Sequence, residues 1–238
     1  MVTALIFAGG TGRRMNTRSK PKQFLELHGK PVIIYTLEHF QHHKDVNQIV
    51  IVCLEGWIEE LKALVQQYGI NKVVGIVPGG PTGHDSIYCG LAFMQETTKF
   101  DDIVLIHDGV RPLIDEELIT RNIEAVKKYG NAITAERARE TVVHSPDGRV
   151  IDTVPHRDEM YVAKAPQSFH FEEIFALYQK ARKEGIKSID SAHLCSIYGA
   201  KMNLVMSTKN NIKITEPADY YVYRALHDAI ENEQIFGL

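Results

Sequence analysis

The chain has 238 residues, of which 27 are Lys or Arg and 30 are Asp or Glu, so that its formal net charge is −3. This length suffices for one large domain with a substantial core, and a hydrophobic content of 44% is typical of an ordinary soluble protein. The lack of a basic excess argues against nucleic acid as the main partner. The cysteines and histidines include neither a CxxC nor an HExxH motif, so the sequence predicts no disulfide framework and no zinc site.

The amino terminus, MVTALIFAGG, lacks both the cationic start and the long apolar run of a signal peptide. No later segment has the apolar length of a membrane span. We therefore expect a cytoplasmic enzyme that has no membrane partner.

Short β-branched runs alternate with helical patterns through the first half of the chain. In order, these segments are Thr3–Ala8, Val32–Phe40, Gln48–Cys53, Ile58–Tyr68, Lys72–Val77, Ile87–Gln95, Asp102–His107 and Asp115–Tyr129, the last with Asp115 as N-cap. This alternation predicts a single α/β domain, residues 1–238, with a mostly parallel sheet and helices on both faces. Ligands bind such sheets beyond the carboxyl ends of the strands, so the residues after Ala8 and His107 are candidate site loops.

The pattern changes at residues 139–154, where TVVHSPDGRVIDTV predicts two strands joined by a Ser-Pro-Asp-Gly turn. A hairpin has no obvious place within a parallel sheet, so we expect a projecting arm. A lone two-stranded hairpin is marginally stable, which favours its packing against a second copy of the chain. The remaining segments are a helix over Phe171–Glu184, the segment Asp190–Tyr198, a strand through Asn203–Met206, a short strand in NIKIT and a final helix from Pro217.

The glycine-rich segment after Ala8 is the first candidate site. Gly9, Gly10 and Gly12 can take positive φ and bring backbone N–H groups close to an anion. Five cations follow within ten residues: Arg13, Arg14, Arg18, Lys20 and Lys22. The segment matches neither GxxxxGK[ST] nor GxGxxG, which excludes the usual ATPase and dinucleotide motifs. A tight turn beside a solvated basic face remains the alternative to a phosphate site.

Three further residues are candidates whose roles the residues alone leave open. Asp108 follows an apolar strand, and it suits either Mg²⁺ ligation or a structural ion pair with Arg111. Arg157 suits either phosphate binding or an exposed loop. Lys213 alternates with two isoleucines, so it faces either solvent or the mouth of the site.

Five motifs in order and in register carry a resemblance over nearly the whole chain: GGTGRRM, PKQFLEL, IHDGVRPLI, RDEMY with APQSF, and NIKIT. The chain resembles the cytidylyltransferases that join CTP to a polyol phosphate, the group containing the 2-C-methyl-D-erythritol 4-phosphate and ribitol-5-phosphate enzymes. The resemblance implies a Rossmann-like nucleotidyltransferase sheet, Mg²⁺, and a homodimer whose arms reach the partner's active site. The predicted hairpin agrees with such an arm.

The resemblance also implies roles for residues that match the motifs. Triphosphate and α-phosphorus contacts fall to Arg14 and Lys22. Backbone contacts to CTP fall to Ala8, Gly9, Gly10 and Gly12. Gly79, Gly80 and Ser86 are implied to border the cytosine. Asp108 is implied to bind Mg²⁺ or substrate hydroxyls. Arg111 and Lys213 are implied to bind the phosphate of the acceptor, together with Thr141 and Arg157 of the partner's arm.

The chain departs from the family pattern in three places. Gly83 stands where an arginine is usual, Ala165 replaces a threonine, and residues 189–193 replace a more acidic segment. RDEMY before APQSF, Trp57 and the length of the arm favour the ribitol branch or a related pentitol phosphate as acceptor.

Three alternative functions remain. The acceptor could be methylerythritol phosphate, for which a hydrophobic lining around its methyl group would be the sign. The opening glycine motif is shared with sugar-1-phosphate nucleotidyltransferases, against which RDEMY, APQSF and NIKIT argue. Gly83 and Ala165 could mark a non-catalytic nucleotide-binding subunit, against which the retained cations argue.

Overall fold

The computed structural model describes residues 1–10, 20–99 and 101–236. The described strands are β1 (Val2–Ala8), β2 (Glu26–Leu27), β3 (Lys30–Pro31), β4 (Gln48–Cys53), β5 (Val73–Pro78), β6 (Ile103–Asp108), β7 (Asn131–Arg137), β8 (Tyr161–His170) and β9 (Leu204–Met206). The described helices are α1 (Val32–His42), α2 (Ile58–Gln67), α3 (Gly83–Met94), α4 (Glu116–Tyr129), α5 (Phe171–Glu184), α6 (Ser191–Ile197) and α7 (Pro217–Phe236). None of these helices combines the length and the apolar character needed to cross a membrane.

Seven strands form one sheet in the order β5-β4-β1-β6-β8-β7-β9. Every neighbouring pair is parallel except those that involve β8, which runs antiparallel to both β6 and β7. The predicted mostly parallel α/β sheet is therefore confirmed. Because β1 and β6 are adjacent, with Phe7 opposite Asp108, the glycine segment and the Asp108 turn leave the sheet side by side.

Helices cover both faces of the sheet, and each face has its own core. Side chains of α1, α2 and α4 pack on one face together with Ala4 and Ile6, whereas α3, α5 and α6 pack on the other face together with Leu5. This alternation along β1 follows from the two-residue period of a strand. Asp115 caps α4 as predicted, because its Oδ1 accepts a 2.7 Å hydrogen bond from the backbone N–H of Leu118.

Two parts of the sheet were not predicted. β7 and β8 carry many polar residues, and β8 contains Pro166, so neither has the apolar periodicity of the earlier strands. A buried amide supports them instead. Asn122 of α4 donates to Thr134 Oγ1 of β7 (3.0 Å) and accepts from Ser168 Oγ of β8 (3.0 Å).

Three predicted strands are wrong in form, namely the two of the hairpin and the one in NIKIT. Residues 139–154 make one antiparallel bridge, His144 with Thr153, rather than two strands. Their side chains are largely exposed, and a two-stranded ribbon without a packing surface is not stable in water. The NIKIT segment joins no sheet, because its neighbour is a loop: the Ile214 N–H donates to Val110 O at 3.0 Å.

The Asn122 network gives a prediction for stability. Asn122→Ala leaves the buried hydroxyls of Thr134 and Ser168 with one partner fewer, each at a cost of about 1–3 kcal/mol, so we expect a loss of roughly 2–4 kcal/mol in the free energy of unfolding. Glu124→Ala on the exposed face of the same helix is the matched control and should change it by less than about 0.5 kcal/mol. Urea denaturation measures both, and equal effects in the two variants would contradict the role of the amide.

Candidate active site

A cleft of about 410 Å³ opens beyond the carboxyl ends of β1 and β6. Six of the residues predicted for the site line it: Ala8, Gly10, Lys22, Asp108, Arg111 and Lys213. The lining therefore unites segments from the beginning, the middle and the end of the chain. The strand order explains this, because the loops after adjacent parallel strands meet at one edge of the sheet.

Asp108 is the centre of the charged groups in this cleft. The residue is 4% exposed, and its Oδ2 accepts from Arg111 Nε at 2.7 Å while its Oδ1 lies 2.5 Å from Lys213 Nζ. Burial alone would raise the pKa of this carboxyl group, but the charges of Arg111 and Lys213 and their hydrogen bonds hold the pKa well below its ordinary value. Asp108 is therefore a poor proton acceptor.

The turn that carries Asp108 is fixed by the strand and by a buried histidine. The Gly109 N–H donates to Phe7 O at 3.0 Å, which continues the β1–β6 contact one residue past the strand. His107 is fully buried, lies edge-on to Phe40, and has Nε2 3.4 Å from Arg111 O. Burial lowers the pKa of His107 to about 3, so the ring is neutral in the folded protein.

Asn211 holds two cations at the rim of the cleft. Its backbone oxygen accepts from Arg111 Nη1 and from Lys164 Nζ, both at 3.2 Å. Its side-chain amide donates to Ala165 O at 2.7 Å, which ties this segment to β8. Lys164 also pairs with Glu136 at 2.5 Å.

Lys22 reaches the same cleft from the opposite end of the chain. It lies in a short 3₁₀ turn, Lys22–Phe24, and its Nζ donates to Ile214 O at 2.8 Å. The neighbouring Gln23 is buried and donates to Ala8 O at 2.6 Å. Lys22 and Lys213 are thus held together through the backbone of the NIKIT segment.

Gly9, Gly79, Gly80 and Ser86 form a contact group beside the cleft. A Cβ on Gly79 would lie 2.9 Å from Ser86 Oγ, and one on Gly9 would lie 3.1 Å from the same atom. The Gly80 N–H donates to this hydroxyl at 3.2 Å. Gly9 and Gly10 do not use the positive φ that glycine allows, and close approach to Ser86 explains the need for glycine at Gly9.

The structure places two predicted site residues outside this constellation, and it does not describe two others. Thr141 and Arg157 are exposed on the arm side of the chain, and neither lines the cleft of its own subunit. Gly12 and Arg14 lie outside the described residues.

Sequence reasoning gave no role to Gln23, Lys164, Gln167 or Asn211. Gln167 donates to Asp190 Oδ2 at 3.0 Å and accepts from the Ala192 N–H at 2.9 Å, so it fixes the start of α6. The three departures from the family pattern meet at this cleft, since Gly83, Ala165 and residues 189–191 all line it. The available signal was that the four residues left without a role lie within or directly beside the motifs PKQFLEL, APQSF and NIKIT.

A mostly parallel α/β sheet whose cleft gathers Lys22, Arg111, Lys164 and Lys213 is typical of enzymes that bind phosphorylated ligands. Residues 2–227 match the family model "IspD: 2-C-methyl-D-erythritol 4-phosphate cytidylyltransferase". The chain belongs to this family of cytidylyltransferases, as the motifs predicted.

Individual relatives differ in the acceptor that their names specify. Ribitol-5-phosphate cytidylyltransferase of Streptococcus agalactiae serotype Ia is 46% identical over 239 residues, covering 100% of both chains. 2-C-methyl-D-erythritol 4-phosphate cytidylyltransferase of Clostridium botulinum strain 657 is 37% identical over 218 residues, covering 91% of this chain and 93% of its own. The crystal structure of 4-diphosphocytidyl-2C-methyl-D-erythritol synthase from Anaerococcus prevotii superposes with a TM-score of 0.82 at 29% identity, covering 95% of this chain and 96% of that one.

His107 predicts how stability depends on pH. The folded state keeps the ring neutral to about pH 3, whereas the unfolded chain takes up a proton near the ordinary histidine pKa of 6.5. Stability therefore falls as the pH drops below 6.5, by about 1.4 kcal/mol per pH unit from this residue. His107→Gln should reduce the dependence of stability on pH. Part of the dependence should remain, because burial also lowers the pKa values of His39, His43 and His84.

Urea denaturation between pH 7 and 5 measures the slope, and the exposed His42→Gln is the matched control. The control should follow the unaltered protein at every pH. An identical slope in His107→Gln would show that His107 is not held neutral.

Proposed function

We propose that the protein transfers CMP from CTP to the phosphate of an alditol phosphate, with ribitol 5-phosphate as the favoured acceptor. The supporting observation is the convergence of Lys22, Arg111, Lys164 and Lys213 on one cleft in a member of a cytidylyltransferase family. The higher identity over the whole chain with a ribitol-5-phosphate enzyme favours ribitol 5-phosphate over the branched acceptor.

In this reaction an oxygen of the acceptor phosphate attacks the α-phosphorus of CTP, the bond to the β-phosphate oxygen breaks, and pyrophosphate leaves. The phosphate dianion is already a competent nucleophile, so no protein base is needed. Catalysis then rests on orientation and on stabilisation of charge, which fits a site rich in cations whose buried carboxylate stays ionised.

The proposed roles combine the positions of the described residues with the motifs of the family. Lys22, with Arg14, would contact the triphosphate and the α-phosphorus. Gly10 and Ala8 would offer backbone contacts at the cleft wall, next to Gly9, and Gly12 would continue the same segment. Gly79, Gly80 and Ser86 would border the cytosine. Arg111 and Lys213 would contact the acceptor phosphate, held at a fixed spacing by Asp108.

Mg²⁺ is the proposed metal, and the donor set limits how the chain would hold it. Both carboxylate oxygens of Asp108 already contact a cation, so Asp108 would supply at most one oxygen. This fits Mg²⁺, because that ion takes most of its ligands from substrate phosphates and water. When bound, it would neutralise charge on the triphosphate.

The arm supports a proposed homodimer. Residues 139–154 expose several apolar side chains, among them Val150 at 68% and Val154 at 58%. Thr141 and Arg157 belong to the same exposed region, and in a dimer they would reach the acceptor phosphate in the partner's cleft. Cys53 and Cys195 are buried free thiols, which is consistent with the reducing cytoplasm as the proposed location.

An acceptor panel tests the proposal. Pyrophosphate release is measured with CTP and Mg²⁺ against ribitol 5-phosphate, arabinitol phosphate, glycerol 3-phosphate and methylerythritol 4-phosphate. We expect rapid release with ribitol 5-phosphate or its close pentitol relative. Release only with methylerythritol 4-phosphate would assign the second candidate, which the family model and the Anaerococcus structure favour. No release with any acceptor, together with no CTP binding by calorimetry, would indicate a non-catalytic subunit.

Variants of Lys22 and Arg157 should split in their kinetics. Lys22→Gln removes a charge at the reacting phosphorus and should lower kcat by roughly 10²–10³-fold. Arg157→Gln removes a charge-assisted hydrogen bond to the acceptor and should raise its KM by about 10-fold or more with little change in kcat. The exposed Lys20→Gln and Arg149→Gln are the matched controls. The same change in kcat and KM for both variants would overturn these assignments.

Mixed dimers test whether Arg157 acts on the partner's site. A statistical mixture of Lys22→Gln and Arg157→Gln subunits contains hybrids with one intact site, so about a quarter of the normal activity should return at low acceptor concentration. No recovery would place Arg157 at the site of its own subunit.

A further inference from the structure

A second cluster of potential ligands lies outside the cleft, between the β2–β3 turn and α7. It consists of His28, His227, Asp228 and Glu231, which we call the hairpin–helix cluster. One ligand atom from each residue lies within 4.8 Å of the other three. None of these residues lines the active-site cleft.

The contacts within the cluster leave an unusual set of donors close together. His28 Nε2 is 2.8 Å from Asp228 Oδ1. His227 Nδ1 lies 4.0 Å from that same oxygen and 3.7 Å from Glu231 Oε2. A structural ion pair between the turn and the helix would explain the contact of His28 with Asp228. It would not explain why the imidazole of His227 lies beside the same carboxylate.

His28 occupies a left-handed backbone position that is uncommon for residues other than glycine. It has φ +50 and precedes Gly29 at φ +75 in the two-residue turn between β2 and β3. Positive φ at both central residues is typical of a type I′ turn, in which Asn-Gly is preferred. A β-turn would form more readily with Asn, so the histidine at this position points to a use of its ring.

His227 is nearly buried, with 13% of its side chain exposed. Its Nδ1 makes no hydrogen bond within the part of the chain that the structure describes. The ring packs edge-on against Tyr35 and Tyr223, with centroids 5.0 and 5.9 Å away, which limits its orientations. The aromatic contacts therefore hold a buried ring nitrogen in place, facing two carboxylates.

We propose that the hairpin–helix cluster binds a divalent metal ion of the zinc class. Two imidazole nitrogens and two carboxylate oxygens form a four-donor set of the kind that Zn²⁺ accepts. Bonds of about 2.0–2.1 Å in a tetrahedron place ligand atoms about 3.3 Å apart. The His227 distances of 3.7 and 4.0 Å must therefore shorten, and the 2.8 Å contact between His28 and Asp228 must open slightly. Arg224, whose Nε lies 3.8 Å from Asp228 Oδ2, offsets only one of the two carboxylate charges.

Such an ion would join two segments that lead into the cleft. The hairpin follows Lys22 closely, and α7 begins shortly after Lys213. Tyr220 of α7 already donates to Glu26 O at 2.5 Å, and the ion would strengthen this connection between the hairpin and the helix. The site thus differs from the proposed Mg²⁺ position in residues, location and chemistry.

The test is a calorimetric titration of the chelator-treated, full-length protein with Zn²⁺, in excess Mg²⁺ so that sites for hard cations are filled. We expect one Zn²⁺ per chain and a higher melting temperature with Zn²⁺. Two variants remove one ligand each: His28→Asn, which the turn tolerates, and Glu231→Gln at an exposed position. Each should weaken Zn²⁺ binding by at least about 10-fold, because even the loss of a residue that only supports a metal ligand costs that much affinity. His144→Asn is the matched control, because it breaks an exposed His–Asp pair on the arm.

The outcomes separate a built site from surface binding. Equal Zn²⁺ affinity in the unaltered protein, His28→Asn and Glu231→Gln would overturn the proposal, as would a loss of the same size in His144→Asn. Co²⁺ gives an independent readout, since a tetrahedral site produces intense visible absorption that His28→Asn should remove. Because neither readout uses activity, failure of the metal site leaves the proposed transferase function untouched.

Discussion

The buried ion cluster around Asp108 is the constraint on which the active site depends. A carboxylate that is 4% exposed is tolerated only because Arg111 and Lys213 both contact it. The same contacts fix the spacing of two cations at the mouth of the cleft before any ligand arrives. A site organised in this way loses little free energy to side-chain ordering when a phosphate binds, which is how preorganised charges contribute to catalysis.

The fold brings these groups together through two unlike devices. Parallel pairing of β1 with β6 places the glycine segment beside the Asp108 turn. The antiparallel β8 then carries Lys164 and Gln167 into the cleft, where Asn211 links it to Arg111. Asn122 holds β7 and β8 together behind the cleft, so a buried hydrogen-bond network replaces the apolar packing that serves the other strands.

The sequence predicted the parts of the structure that local chemistry determines. Strands such as Gln48–Cys53 are continuous apolar runs, and the Asp115 cap needs only its own helix, so both could be found without tertiary information. β8 could not, because Pro166 and its polar neighbours are stabilised by contacts with distant residues. Lys213 illustrates the same limit: periodicity left its direction open, and Asp108, far away in sequence, decides it.

The family resemblance supplied what periodicity could not, since its motifs pointed to six of the residues that line the cleft. It did not predict Asn211 as the link between two cations, nor the meeting of His28 with His227 across almost the whole chain. Both depend on three-dimensional proximity between segments that share no local pattern. The arm was predicted only in part. Its turn could be recognised from the sequence, but its lack of a packing surface within the chain could not.

A double-mutant cycle on kcat/KM with Asp108→Asn and Lys213→Gln tests most directly whether the carboxylate acts by positioning the cations. If Asp108 acts through Lys213, the double variant should have nearly the same kcat/KM as the worse single variant. A tenfold deviation from additivity corresponds to a coupling free energy of about 1.4 kcal/mol. Losses that simply multiply would show that the two residues act independently, and would contradict the central role of their ion pair.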